Sequence, residues 1–256
     1  MYRGDVPLPG AVDVVPALTE LGIQHAFVTN NATLTPEQYQ AKLQRMGIAV
    51  SADRVVTSSI ATAAYLRSLT DAAARVCVVG EEGLIGALES AGFEVGDADP
   101  VFVVVALDRK LSYQRLVAAT RGIMNGAAFI ATNADPALPV EDGLWPGAGS
   151  IVAAVATATG VHPTVIGKPE PTMLRVALDR LAVRPENAAI LGDQVQTDIR
   201  AGHAAGVATI LLATDLATPV PGVTPDLIVG DLHDLLRRLR TRDAPEAGPG
   251  RGPTAG

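Results

Sequence analysis

The sequence predicts an α/β fold built on a parallel sheet, and three observations carry that prediction. Short β-rich runs alternate along the chain with segments of helical period. Several of these runs are apolar almost throughout, as strands covered on both faces must be. The helical segments also carry their own start and stop signals. Hydrophobic residues make up 48% of the 256 residues and mean hydropathy is +0.27, which suffices for the core of one large or two smaller domains.

In chain order the strands are expected at 25–28, 54–56, 75–79, 101–107, 128–131, 164–166, 188–191, 207–212 and 226–229. A helix precedes the first. With Asp13 as its N-cap, Pro16 falls in the first turn, where a missing N–H costs little. Thr35-Pro36-Glu37-Gln38 reads as an N-cap, a proline at the first helical position and a capping-box glutamine, and Gly47 closes that helix. Segments 82–92, 112–126, 171–181 and 197–206 have similar ends. A final helix carries Arg237, Arg238, Arg240 and Arg242 near its end, where cations complement the helix dipole. Beyond residue 240 the chain turns rich in Gly, Pro and Ala, so 241–256 is expected to be a disordered tail.

Composition excludes several function classes. Net charge is −7, which disfavours nucleic acid as a partner, because that binding neutralises phosphates with Lys and Arg. Aromatics are 4%, too few for base-stacking platforms. No run approaches the ~18 apolar residues of a membrane span, and the opening residues lack the apolar stretch of a signal peptide. The single cysteine, Cys77, lies in an apolar run and reads as a buried small hydrophobe. A reducing, cytoplasmic location is the expectation.

Two nucleotide signatures fail. Gly147-Ala148-Gly149 lacks its third glycine, since Val152 stands there, and Gly167-Lys168 is followed by Pro169, with His162 in place of the first P-loop glycine. Three other places could carry chemistry. Thr29 and Asn30 follow an apolar strand, where a hydroxyl, an amide and backbone N–H groups can hold phosphate oxygens; the same pair is also a common turn signal. Lys168 sits in Ile166-Gly167-Lys168-Pro169-Glu170-Pro171, a stiff loop that can present a point charge to phosphate or simply a solvated lysine. Ile190-Leu191-Gly192-Asp193 ends a strand, and Asp198 follows at a helix start. Asp193 can ligate a hard cation through oxygen, with Asp198 behind the metal or holding Lys168. Alternatively Asp193 is a turn residue and Thr197 or Asp198 a helix N-cap. Val28-Thr29-Asn30-Asn31 also echoes Ala131-Thr132-Asn133-Ala134, which common strand-end chemistry is enough to explain.

Taken in order, these segments resemble the haloacid dehalogenase superfamily, and the chain to about residue 240 resembles its class IIA, 4-nitrophenylphosphatase (NagD-like) branch. Tyr2-Arg3-Gly4, Pro9-Gly10-Ala11, Val28-Thr29-Asn30-Asn31, Gly80-Glu81-Glu82-Gly83, Ala131 through Asp135, Gly143 through Gly149, Gly167-Lys168-Pro169, Gly192-Asp193 and Thr197-Asp198 carry the likeness. The resemblance implies a Rossmann-like core at 1–75 and 163–240 with an inserted α/β (C2-type) cap at 76–162. It implies a Mg²⁺-dependent phosphatase acting on a small phosphorylated metabolite through an aspartyl-phosphate. By the same resemblance Thr29 and Asn30 bind the phosphoryl group and Lys168 stabilises it. Asp193 ligates Mg²⁺, and Asp198 supports the metal or Lys168. A homodimer through the cap fits the branch.

One departure stands out. In that branch a strand ending Asp-x-Asp-Gly precedes Tyr-Arg-Gly and supplies nucleophile and general acid, whereas this chain starts at Met1-Tyr2-Arg3-Gly4. Asp5 lies on the wrong side of the turn to replace them. The expectation is that Met1 is an internal methionine, that the sheet has an open slot for a central strand, and that the chain alone is inactive. The alternative is a non-catalytic phosphate- or partner-binding protein. Sugar phosphates, glycerol phosphate, phosphoglycolate and nucleotides all remain open as substrates, with Asp135 a candidate contact.

Overall fold

The computed structural model describes residues 1–140, 143–214 and 218–242. Two short strands, β1 (Tyr2–Arg3) and β2 (Val6–Pro7), pair antiparallel at the start. Helix α1 (Ala11–Glu20) follows. It begins one turn earlier than the sequence suggested, because Gly10 adopts a φ of 80° and the Ala11 N–H closes a turn on the Leu8 carbonyl at 2.9 Å. Pro16 therefore lies in the helix interior and not in its first turn. It is tolerated because Pro16 and Val12, whose carbonyl loses its donor, are both on the exposed face.

The next two strands of the core are β3 (Phe27–Thr29) and β4 (Val55–Thr57), paired in parallel. Helix α2 (Pro36–Arg45) connects them with the expected capping box: the Thr35 hydroxyl accepts from the Gln38 N–H, and the Gln38 side chain accepts from the Thr35 N–H at 2.9 Å. Helix α3 (Ser58–Leu69) leads out of the core, its first turn capped by the Thr57 hydroxyl.

Where the resemblance implies a cap, residues 75–165 hold a separate parallel sheet, called the cap from here on. Its strands are β5 (Arg75–Val79), β6 (Glu94–Val95), β7 (Phe102–Val105), β8 (Ala128–Ala131) and β11 (Thr164–Val165), in the order β11-β8-β7-β5-β6. The alternation of side chains along each strand fills two layers. Val76, Val104 and Ile130 pack with α3 and with α4 (Glu82–Ser90). Cys77, Val79, Val103, Val105 and Phe129 pack on the other side, with α5 (Tyr113–Met124) and α6 (Ala148–Thr159). Cys77 is buried as expected, and burial pushes its thiol up to about 12. A hairpin of β9 (Ala137–Val140) and β10 (Gly143–Pro146) stands off the sheet. The sequence missed this hairpin and β6. The sheet also runs past the expected boundary at 162: β11 pairs with β8 as the chain returns to the core.

The return continues through α7 (Thr172–Leu181), then β12 (Ala189–Gly192), α8 (Arg200–Ala205), β13 (Ala208–Leu212), β14 (Leu227–Val229) and α9 (Leu232–Arg242). Strands β12-β13-β14 form a parallel sheet of their own. Among the described residues it is not hydrogen-bonded to β3-β4. The two sheets are joined by packing on both faces: Phe27 shares a cluster with Leu191 and Ile210, and Val28 shares another with Ile190 and Leu174. The expected tail falls outside the described residues from 243 onward; residues 241 and 242 complete α9. Among the described residues no helix is long and apolar enough to cross a membrane.

Candidate active site

The carboxyl ends of the core strands meet those of the cap, where an open α/β sheet leaves its ligand crevice. Thr29 is the last residue of β3, and Asn30 follows it. Lys168 lies just beyond β11, and Asp193 directly follows β12. Asp198 returns to the end of β12 in a single π-helical turn, Val195–Ile199. The helix expected at 197–206 thus begins with this wider turn, and Asp198 does not cap it.

Gly192 makes that return possible. A Cβ at this position would overlap the Asp198 carboxyl group, so a side chain and the folded-back carboxylate cannot coexist. Asp198 is then held from two sides. Its Oδ2 accepts from the Gln194 N–H at 3.1 Å, and its Oδ1 accepts from Lys168 Nζ at 2.6 Å. The pair is well shielded, with side-chain exposures of 13% for Lys168 and 9% for Asp198. Removing one partner from such a pair leaves an uncompensated charge, which is strongly destabilising.

Asn30 ties the cap to this pair. Its Oδ1 accepts from the Lys168 N–H at 2.8 Å, and its Nδ2 donates to the Lys168 carbonyl at 3.0 Å and to Asp135 Oδ2 at 3.1 Å. Its backbone carbonyl accepts from Asn133 Nδ2 at 2.8 Å and from Ser58 Oγ at 2.6 Å. The side-chain amide is therefore fully committed to protein partners. Gly167 permits this closeness, since a Cβ there would stand 2.6 Å from the Thr132 carbonyl and 2.9 Å from Asn30 Oδ1. Thr29 accepts from the Asn31 N–H at 3.2 Å and its hydroxyl meets that of Tyr39, whose own ionisation burial pushes upward.

The structure thus joins Asn30, Lys168 and Asp198 in one bonded network. Thr29 adjoins it through the chain, and Asp193 lies beside it with no hydrogen bond or ion pair among the described residues. Asp135 belongs to the same network. Burial raises its carboxyl above the ordinary value, Asn30 and Lys168 pull it down, and Asp198 adds to the rise. Burial likewise lowers the Met1 amino group, while Asp193 and Asp198 raise it, which puts the first residue within the field of both aspartates. The network members that sequence reasoning did not assign are Asn133, Ser58 and Gly192's role beneath Asp198. The echo between the two Thr-Asn strand ends was the available signal, for these ends face each other across the crevice.

Among the described residues no three His, Cys, Asp or Glu side chains converge in a ligating cluster. Asp135 and Asp198 are occupied by Asn30, Lys168 and the Gln194 N–H. Of the site's carboxylates only that of Asp193 has no hydrogen bond or ion pair among the described residues, so it is the one left to hold a hard cation, with the positively charged Met1 amino group within its field. That carboxylate suits a Mg²⁺ ion, which keeps several waters and uses one or two carboxylates plus substrate phosphate oxygens.

Comparison with known proteins identifies the family and the fold. The family described as haloacid dehalogenase-like hydrolase matches residues 1–94, and the HAD-hydrolase-like family matches 165–235. An acid sugar phosphatase of Staphylococcus aureus is 42% identical over 244 residues, covering 93% of this chain and 94% of that protein. That of Staphylococcus saprophyticus is 38% identical over the same coverage. The structure of a p-nitrophenyl phosphatase from Archaeoglobus fulgidus superposes with a TM-score of 0.86 at 33% identity, covering 93% of this chain and 95% of that one. A 4-nitrophenylphosphatase from Thermotoga maritima gives 0.85 at 32%, with 92% of each chain covered. The chain belongs to the haloacid dehalogenase-like hydrolases, among their phosphatases.

Proposed function

We propose that this phosphatase is Mg²⁺-dependent and hydrolyses a small sugar phosphate, and that turnover requires an Asp-x-Asp-Gly strand ahead of Tyr2. The observation that carries the reading is the Lys168–Asp198 pair at 2.6 Å beside the carboxylate of Asp193, which has no hydrogen bond or ion pair among the described residues. Lys168 supplies one fixed positive charge and the Met1 amino group stands in the field of Asp193 and Asp198, while Asp135, Asp193 and Asp198 line the same place with three carboxyl groups. A further cation favours entry of a dianionic phosphate there. Bound through Asp193, Mg²⁺ would supply Lewis-acid neutralisation of phosphoryl oxygens.

The remaining roles fall to this chain's own groups. Lys168 Nζ offsets charge on the phosphoryl oxygens, and Asp198 holds that ammonium in one position. Thr29 offers its hydroxyl to a phosphoryl oxygen. Asn30 contributes through its backbone N–H, because its side-chain amide is engaged by Lys168 and Asp135. No Asp-x-Asp-Gly occurs among the 256 residues, so the aspartyl-phosphate chemistry of the family has no nucleophile within them. The sugar as leaving group is supported by the names of the staphylococcal relatives.

The test is hydrolysis of 4-nitrophenyl phosphate and of a panel of sugar phosphates, with Mg²⁺ and with chelator. It is run on the 256-residue chain and on a chain extended upstream by an Asp-x-Asp-Gly strand. Turnover by the extended chain alone, lost with chelator, supports the reading. Mg²⁺-dependent turnover by the 256-residue chain overturns the requirement for the strand. A second reading, phosphate binding without catalysis, is favoured by the absence of a three-carboxylate cluster among the described residues. It predicts saturable phosphate binding and no turnover by either chain.

A further inference from the structure

We propose that Asp135 is a positioning residue: through Asn30 it fixes the backbone of Lys168, so that the cap as well as the core sets where the site's ammonium stands. The proposal rests on the reading of Lys168 given above and deepens it.

Three restraints hold Asp135 itself. Its N–H donates to Asn133 Oδ1 at 3.1 Å. Its carbonyl accepts from the Gly149 N–H at 2.9 Å, at the start of α6. A Cβ on Gly147 would overlap that same carbonyl, and one on Gly149 would overlap the carbonyl of Ala134, so both glycines are needed for the close approach. The carboxylate then reaches out of the cap. Both of its oxygens lie within reach of Asn30 Nδ2, at 3.1 and 3.4 Å.

Asn30 passes the restraint on. An amide rotated by half a turn would present the wrong atom to every partner. Asp135 and the Lys168 carbonyl both require the NH₂ group where it is, and only then does Oδ1 face the Lys168 N–H. The Asp135 oxygens, as acceptors for Nδ2, enforce this choice. Without them the amide keeps only Lys168, and Lys168 is free to shift away from Asp198. A contact between Asp135 and substrate is not needed to explain any of these bonds.

The chain has three lysines, Lys42, Lys110 and Lys168, which permits a direct test. Competitive acetylation at low reagent, read by mass spectrometry, gives the reactivity of Lys168 relative to exposed Lys110. Lys42, which pairs with Asp5 at 3.3 Å and lies over the Tyr2 ring, reports whether the core stays folded. In Asp135→Ala the Lys168 ratio is expected to rise roughly tenfold, on the scale of a lost hydrogen bond, with the Lys42 ratio unmoved. Asp135→Asn, which keeps an acceptor for Nδ2, restores the wild-type ratio. If Asp135→Ala raises the Lys42 ratio as well, Asp135→Ser replaces it, its hydroxyl too short to reach Asn30. An unchanged Lys168 ratio in a folded Ala or Ser variant overturns the proposal, as does an Asn variant that behaves like Ala. Labelling needs no turnover, so a chain without phosphatase activity leaves this result standing, and the reverse also holds.

Discussion

Asn30 and Lys168 bind each other twice and in opposite senses: the lysine N–H donates to Oδ1 at 2.8 Å, and Nδ2 donates to the lysine carbonyl at 3.0 Å. A side-chain amide here does what a neighbouring strand would do for the Lys168 backbone. Asn30→Asp keeps the acceptor and loses the donor. It also sets a second carboxylate against Asp135. The expected cost is about 2–3 kcal/mol, the scale of a part-buried group left unsatisfied, measured by urea unfolding. A variant as stable as the wild type would mean that the Lys168 carbonyl finds another donor.

Gly192→Ala tests the fold-back of Asp198. The added methyl group overlaps the carboxyl group, and both the backbone and the Lys168 pair must move. Overpacking of this kind costs about 1–3 kcal/mol. Phosphate-dependent protection of Lys168 from acetylation should fall in parallel. Loss of stability with protection intact would separate the packing role of Gly192 from the charge pair.

Stability should depend on pH through Asp135. Its ordinary value is 3.8 and burial raises it in the folded chain. A raised folded value means that the acid is favoured when protonated, so this contribution is complete below the unfolded value. It is lost as pH climbs through the folded one. Asp135→Asn removes the loss while retaining an acceptor. The variant is expected to melt higher than wild type at neutral pH, with the gap closing as pH falls toward 3.8. A gap that widens in acid would reverse the sign and refute the assignment.

Mg²⁺ bound through Asp193, as proposed, would stabilise the wild type by about 2.7 kcal/mol at a concentration ~100 times the dissociation constant, and Asp193→Asn should abolish the resulting rise in melting temperature. In a catalytically competent, extended chain the same change is expected to lower turnover on the order of 10²-fold or more. Equal Mg²⁺ stabilisation in both proteins would remove Asp193 from the donor set.

Ile166 lies two residues before Lys168, is fully buried, and packs with Leu84, Val104, Ile130 and Met173, which come from the cap and from α7. Ile166→Ala should cost about 2–5 kcal/mol, seen as a lower urea midpoint with an unchanged slope. A near-neutral result would mean that the seam between cap and core closes over the cavity.

Much of this fold was legible because its signals are local. Arg75–Val79 and Ala128–Ala131 fall where the apolar runs place them, and Thr35 and Gln38 form the box their spacing implies. What stayed hidden depends on contacts between distant residues. Glu94–Val95 is too short to show alternation and is a strand only because β5 pairs with it. The start of α1 was misplaced because a Pro9-Gly10 turn outranked Asp13 as its boundary. In the site, Lys168 and Asp193 stood out by residue type and strand position. The commitment of the Asn30 amide is invisible in one dimension, since its partners lie 105 and 138 residues away.

The β9–β10 hairpin carries the chain's one tryptophan, Trp145, at 48% exposure. Indole emission from this protein therefore originates from a single ribbon on the outside of the cap. A spectral shift on adding sugar phosphate would report that ribbon's surroundings, and the melting of the core would leave only a faint optical trace.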